Sequence, residues 1–348
     1  MQLAVGSSQS AVRSRQSTVG SWQLPLFSCY FIWFLLFGSW NFKILFMEPI
    51  WGIDLGGTKI EGAILPSLND PSPIIRTRID TEASKGYEHI IRQIDKLVNQ
   101  MQNESGLTPK KIGFGTPGVL DPFLQTMKNC NSTALNGRPL KKDLEQTLNL
   151  PVVLANDANC FALAETHWGI VKQKFPGSSV VFGIIMGSGV GGGIVIDGKV
   201  WNGCHGIAGE WGHNYLDDSG GPCYCGKTGC VETIISGPAL QRFYASVTGN
   251  NITLKEIMKR YQENTDEVAT QTIQRLCRFF GKAVSVVTNL LDPDVIVVGG
   301  GVGNIDVIYT EGLRSLNEFI FNNRVDVPVL KPSLGDSAGV FGAAALVA

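Results

Sequence analysis

The sequence predicts an α/β fold of two similar lobes carrying a metal-stapled loop. Two segments, WGIDLGGTKIEGAIL (51–65) and VVFGIIMGSGVGGGIVIDGKV (180–200), share one pattern of apolar strand, Gly-rich turn and apolar strand. Short apolar runs elsewhere alternate with amphipathic helical stretches, the mark of layered α/β architecture. Between Ala208 and Glu232 the chain gathers one histidine and three cysteines in a Gly-rich stretch that cannot bury much apolar surface of its own.

The elements follow in order. Ile50–Leu55 and Lys59–Leu65 read as a strand hairpin around Gly56-Gly57-Thr58, because the second run alternates like a strand where a dinucleotide fingerprint would need a helix. Pro66 to Pro73 reads as a turn region. Tyr87–Gln102 carries Ile90, Ile91, Ile94, Leu97, Val98 and Met101 at helical spacing. Ile112–Gly115 and Val152–Ala155 read as strands, Lys141–Leu148 and Ala158–Trp168 as helices. Val180–Met186 is a buried strand, and Ile194–Ile196 follows the second Gly turn. Leu254–Tyr261 and Val268–Leu291 are helices, Val295–Val298 a strand opening onto Gly299-Gly300-Gly301, and Ala338–Val347 a closing helix.

A length of 348 residues suggests about two domains, and a formal net charge of −1 gives no electrostatic case for nucleic acid or an anionic membrane as partner. Eight cysteines with no regular disulfide framework fit a reducing, cytoplasmic compartment. The first 46 residues depart from the rest. Residues 1–20 are rich in Ser, Gln and Arg and read as disordered, and Leu24–Trp40 is apolar enough for a marginal membrane or signal-like segment. The composition break favours Met47 as the start of the folded protein, with 1–46 as upstream sequence. A membrane anchor in 24–46 is the alternative.

His213, Cys223, Cys225 and Cys230 form a ligand set suited to structural, tetrahedral zinc. Free thiols or a disulfide are the bland alternative, and Cys-x-Cys is poor disulfide geometry. One ring nitrogen of His213 can hold the metal while the other faces a substrate. Glu210 and Glu232 flank the cluster and suit hydroxyls of a polyol. The backbone N–H groups of Gly56 and Gly57, with Thr58 and Lys59, can approach phosphate oxygens, and Asp54 suits Mg²⁺ held through water. Gly187-Ser188-Gly189 with Gly191 repeats that offer, and Gly299, Gly300 and Gly301 leave a flat surface for an adenine ring. Three such turns point to a nucleotide in a cleft. Asp157 stands at a strand-to-helix junction, where it either caps the helix or serves as base for an acceptor hydroxyl. His89, His167 and His205 lack such neighbours and read as surface or packing residues.

These residues together resemble the ROK family of sugar kinases and sugar-responsive repressors, with its two-lobed, actin-like, ribonuclease-H-like fold. The matching motifs are DLGGTK (54–59), TPG (116–118), NDANCFA (156–162), GSGVGGG (187–193), GEWGH (209–213), CYCGKTGCVE (223–232) and VGGG (298–301). The resemblance implies Asp157 as catalytic base, and Asn131, Asn156, Glu210, His213 and Glu232 around the sugar. It places zinc on His213, Cys223, Cys225 and Cys230. It further implies ATP and Mg²⁺, a homodimer, an N-terminal lobe over 47–155 to which 336–348 return, and a C-terminal lobe over 156–335 with its zinc loop at 204–232. NCNSTALNG (129–137), AGEWGHNYL (208–216) and CYCGKTGCVETIISG (223–237) are most similar to bacterial fructokinases of the mannokinase type. The expected reaction is therefore phosphorylation of the 6-hydroxyl of fructose, with mannose or glucose as side substrates. An N-acetylhexosamine or glucose kinase of the same family, or a non-catalytic sugar sensor, is the alternative. Ala134 stands where relatives often carry Trp, a departure expected to loosen the sugar pocket or its rim. Residues 1–46 lack the charge pattern of a helix-turn-helix, which argues against the repressor branch.

Overall fold

Two five-stranded sheets of the same strand order frame the computed structural model, which describes residues 48–348 apart from Asn323. The anchor and start-site readings fall on residues outside the described ones. Glu48–Ala348 forms one unit. Its chain begins with β1 (Ile50–Leu55), β2 (Lys59–Leu65), β3 (Ile75–Asp80), helix α1 (Tyr87–Ser105) and β4 (Ile112–Thr116). A small hairpin of β5 (Val119–Leu120) and β6 (Met127–Lys128), helix α2 (Leu140–Leu148) and β7 (Val152–Asn156) complete the first half. The first sheet runs β3-β2-β1-β4-β7, with β1 antiparallel to β2 and parallel to β4.

The second half repeats this plan. Helices α3 (Asp157–His167) and α4 (Ile170–Lys174) lead to β8 (Val180–Met186), β9 (Val190–Ile196) and β10 (Lys199–Val200). The Gly- and Cys-rich loop then passes into α5 (Glu232–Ile235), α6 (Gly237–Thr248), α7 (Leu254–Gln262) and α8 (Glu267–Leu291). The chain finishes with β11 (Val295–Gly299), α9 (Gly300–Gly303), α10 (Glu311–Phe319), β12 (Val329–Leu330) and α11 (Ala338–Ala345). The second sheet runs β10-β9-β8-β11-β12, again two antiparallel neighbours on one side of the first strand and parallel strands on the other. The repeated hairpin in the sequence is thus the first hairpin of each sheet.

Packing follows the apolar pattern. Helix α1 buries Ile90, Ile94, Leu97 and Met101 against the first sheet, each worth about 1.5–3 kcal/mol before the cost of ordering it. It runs three residues beyond its last predicted position, until Gly106 closes it at φ 70 with its N–H on the Gln102 carbonyl. Helix α8 buries Ile273, Leu276, Phe280 and Val284 against the second sheet. Side chains of α3 and α11, among them Phe161, Ala162, Val340, Phe341 and Ala344, share a core with strands of both sheets. Close approach there depends on missing side chains: a Cβ on Gly113 would lie 1.8 Å from the Ala343 carbonyl oxygen. Among the described residues, no helix is long and apolar enough to cross a membrane.

Candidate functional site

Parallel strands deliver their C-terminal ends to one edge of a sheet, which is where ligands bind in α/β proteins. In the first sheet Asp54 pairs with Gly115, and Thr116 with Asn156, so Asp54, Thr116-Pro117-Gly118 and Asn156-Asp157 reach a common edge. In the second, Gly299 pairs with Ile185, which places Gly187–Gly189 beside Gly299–Gly301.

At the start of α3 the capping residue is Asn156, whose Oδ1 accepts the Asn159 N–H at 2.7 Å. Asp157, at the first helical position, accepts the Ala158 N–H through Oδ1 at 2.8 Å. Its carboxylate thereby keeps lone pairs for a ligand. Its side chain is exposed to the cleft, and the protein atoms packed around its carboxyl raise its pKa above the ordinary 3.8. Asp54 is pushed up to about 6 by burial first and the Asp157 charge second.

The loop beyond β10 is built around the cysteines. The ligand atoms of His213, Cys223, Cys225 and Cys230 all lie within 4.8 Å of one another. The Cys225 and Cys230 sulfurs are 3.6 Å apart, and Cys223 Sγ is 3.5 Å from His213 Nδ1. A tetrahedral zinc with Zn–S near 2.3 Å and Zn–N near 2.05 Å has edges of about 3.8 and 3.6 Å, so the four side chains fit that ion. With zinc on Nδ1, Nε2 would carry the ring proton; it lies 2.9 Å from the Tyr224 hydroxyl. The loop is fastened to β9 by Trp211 Nε1 on the Gly191 carbonyl at 3.1 Å and to α8 by Lys282 Nζ on the Leu216 carbonyl at 2.9 Å.

A polar pocket of about 150 Å³ collects the residues expected around a sugar: Asn131, Asn156, Asp157, Glu210, His213 and Glu232 all line it. That volume is room for one small polar molecule. Burial raises the Glu210 carboxyl, while His213 and the Asn156 amide draw it down. Glu232 accepts the Val190 N–H at 2.9 Å, which ties the loop's end to the second Gly turn. Gly187, Ser188, Gly189 and Gly191 line the same pocket. Gly187 and Ser188 also line a second cavity, of about 580 Å³, with Gly301, Val302 and residues of α6 and α7.

Not every expected residue lies there. Asp54, Gly56, Gly57, Thr58 and Lys59 line neither cavity. Their hairpin is closed by Gly56 N–H on the Lys59 carbonyl at 2.9 Å, and Gly57 faces the Ser132 hydroxyl. Gly299 and Gly300 stand at the end of β11 beside the second cavity, with Gly301 on its wall. Ala134 packs against the core of the first lobe and is not on the pocket wall. His89 bonds Glu82, His167 bonds the Gly198 carbonyl and His205 lies against Phe123. Sequence reasoning passed over Tyr224, although it lies between two of the cysteines. It also passed over Gly237, Pro238, Gln241, Leu254, Lys255 and Met258 on the second cavity.

Duplicated sheets whose strand ends meet at a polar cleft define a two-lobed, actin-like α/β protein. The chain belongs to the ROK family, whose sequence model matches residues 50–348. It is 33% identical over 306 residues to an N-acetyl-D-glucosamine kinase of Vibrio parahaemolyticus, covering 85% of this chain and 98% of that one. A namesake from Histophilus somni is 34% identical over 308 residues, with the same coverage. Among solved structures, the ROK hexokinase of Thermus thermophilus superposes with a TM-score of 0.77 at 29% identity, over 86% of this chain and 97% of that chain. A ROK family glucokinase from Streptomyces griseus, in complex with glucose and AMPPNP, gives 0.68 at 29% identity over 86% and 98%. Fructose, expected from the motif resemblance, has no support among these relatives, and the alternative of an N-acetylhexosamine or glucose kinase fits them better.

Proposed function

We propose that the protein is an ATP-dependent sugar kinase that transfers the γ-phosphoryl group to the 6-hydroxyl of glucose or an N-acetylhexosamine, with N-acetylglucosamine the first candidate. The observation that carries this reading is the shared wall. Gly187 and Ser188 face both the pocket holding Asp157 and the larger cavity beside Gly301, so an acceptor in one and a triphosphate in the other meet at that turn. Asp157 takes the proton of the attacking hydroxyl. Its environment tightens the proton it gains, so turnover falls on acidification at a pH above the ordinary carboxylate range.

Asn131, Asn156, Glu210, Glu232 and His213 orient the hydroxyls and exclude water. The backbone N–H groups of the Gly187–Gly189 turn, which faces both cavities, stabilise negative charge developing on the phosphates. Asp54 is the carboxylate that would hold Mg²⁺, which would supply neutralisation of phosphate charge. His213, Cys223, Cys225 and Cys230 would hold zinc with no open position, which makes that site structural. Bound there, it would order a loop that carries both Glu210 and His213. The Leu254, Met258 and Val302 side chains offer apolar faces to the nucleotide base.

An ADP-release assay against glucose, N-acetylglucosamine, N-acetylmannosamine, mannose and fructose tests the reading. The expected result is turnover with N-acetylglucosamine or glucose at least tenfold more efficient than with fructose. ATP-independent sugar binding without ADP release would instead make the chain a sensor.

A further inference from the structure

The polar pocket continues beyond the scale of one sugar. Asn129, Glu210, His213 and Tyr224 line it and also line a groove of about 1150 Å³, whereas Asp157 lines the pocket alone. The groove therefore joins the pocket through residues other than the reacting carboxylate. Its wall in the second lobe includes Ile207, Val286 and Leu290, which are 47%, 42% and 78% exposed. A single exposed Leu needs no explanation. Three exposed apolar side chains on one groove that shares a wall with a polar substrate pocket offer an apolar surface next to it. Asn129, held in the left-handed region at φ 56, places a side-chain amide where pocket and groove meet.

Resting on the kinase reading above, we infer that the enzyme accepts hexosamines whose nitrogen carries an acyl chain longer than acetyl. The 6-hydroxyl points to Asp157, the amide lies at Asn129 and His213, and the chain extends along Ile207, Val286 and Leu290. The transfer itself is unchanged. The 6-oxygen bonds the γ-phosphorus, the bond from that phosphorus to the ADP oxygen breaks, and the hydroxyl proton passes to Asp157. The partner of the apolar wall is thus part of the substrate, and each methylene seated there is worth up to about fourfold in affinity.

The test is steady-state kinetics on glucose and on N-acetyl-, N-butanoyl- and N-hexanoylglucosamine, with the wild-type chain and Leu290→Glu. The expected result is a kcat/KM for the two longer acyl sugars equal to or above that for the N-acetyl sugar. Leu290→Glu should cut the N-hexanoyl value at least tenfold and leave glucose and the N-acetyl sugar within twofold. Longer acyl sugars falling below the N-acetyl sugar, while that sugar and glucose are turned over, overturn this inference alone. Equal losses on every sugar in Leu290→Glu, with a change in sedimentation, overturn it in favour of a second protein copy on the groove. Turnover of no sugar overturns the kinase reading and this inference with it.

Discussion

Asn156 and Asp157 divide two tasks that a single aspartate at a helix start would have to combine. The Asn156 side chain satisfies the helix N-terminus, and Asp157 is left facing the pocket. Nearby, Asp54 carries a cost. Its pKa of about 6, against 3.8 for an ordinary aspartate, means the folded chain holds that proton more tightly than the unfolded chain does. The resulting stability is complete below about pH 4 and is lost as pH rises through about 6. In metal- and nucleotide-free protein, Asp54→Asn should therefore raise stability at pH 8 by roughly 1–2 kcal/mol, less than the whole shift converts to because water reaches the side chain. Denaturant unfolding should show the gain shrinking as pH falls toward 4. The same variant should lose turnover, because the proposed partner of Mg²⁺ is gone.

At the scale of elements, the loop between β10 and α5 is held by its cysteines and by a few anchors. Cys225→Ser should abolish a stoichiometry of one zinc per chain, read by metal analysis. It should raise the sugar KM about tenfold or more with a smaller change in kcat, because His213 and Glu210 lose their positions before Asp157 does. Zinc-free wild-type protein with normal kinetics would separate the loop from the metal. This cluster was legible in the sequence because its ligands lie within 18 positions, from His213 to Cys230. The second cavity was not. Helix α6 begins at a capping Ser236 with Pro238 in its first turn, a signal present in SGPAL but without the long apolar stripe that marks α8. Strand β3 escaped because IRTRID exposes alternate positions at a sheet edge, with Arg76 and Arg78 turned to Glu61, so charge masks its period. The strands around both Gly turns were read to within a few residues, since buried apolar runs ending in glycine leave few alternatives.

For the whole molecule, the recurrence of one hairpin predicted two related lobes, and both sheets share one order of strands. What the sequence could not show is that the Gly187-Ser188 turn serves two cavities, because that depends on how α6, α7 and the Cys-rich loop close over it. A chain starting at Met47 should keep the kinetic constants and melting temperature of the full chain within error, since the family match begins at residue 50. Loss of folding in that shorter chain would assign residues 1–46 a structural part. The most direct test of the proposed chemistry is the turnover of Asp157→Asn with its preferred sugar and ATP. A fall in kcat of about two to four decades, with melting temperature and sugar affinity retained, is the predicted result. A rate near that of the wild type would contradict it and remove Asp157 as the base.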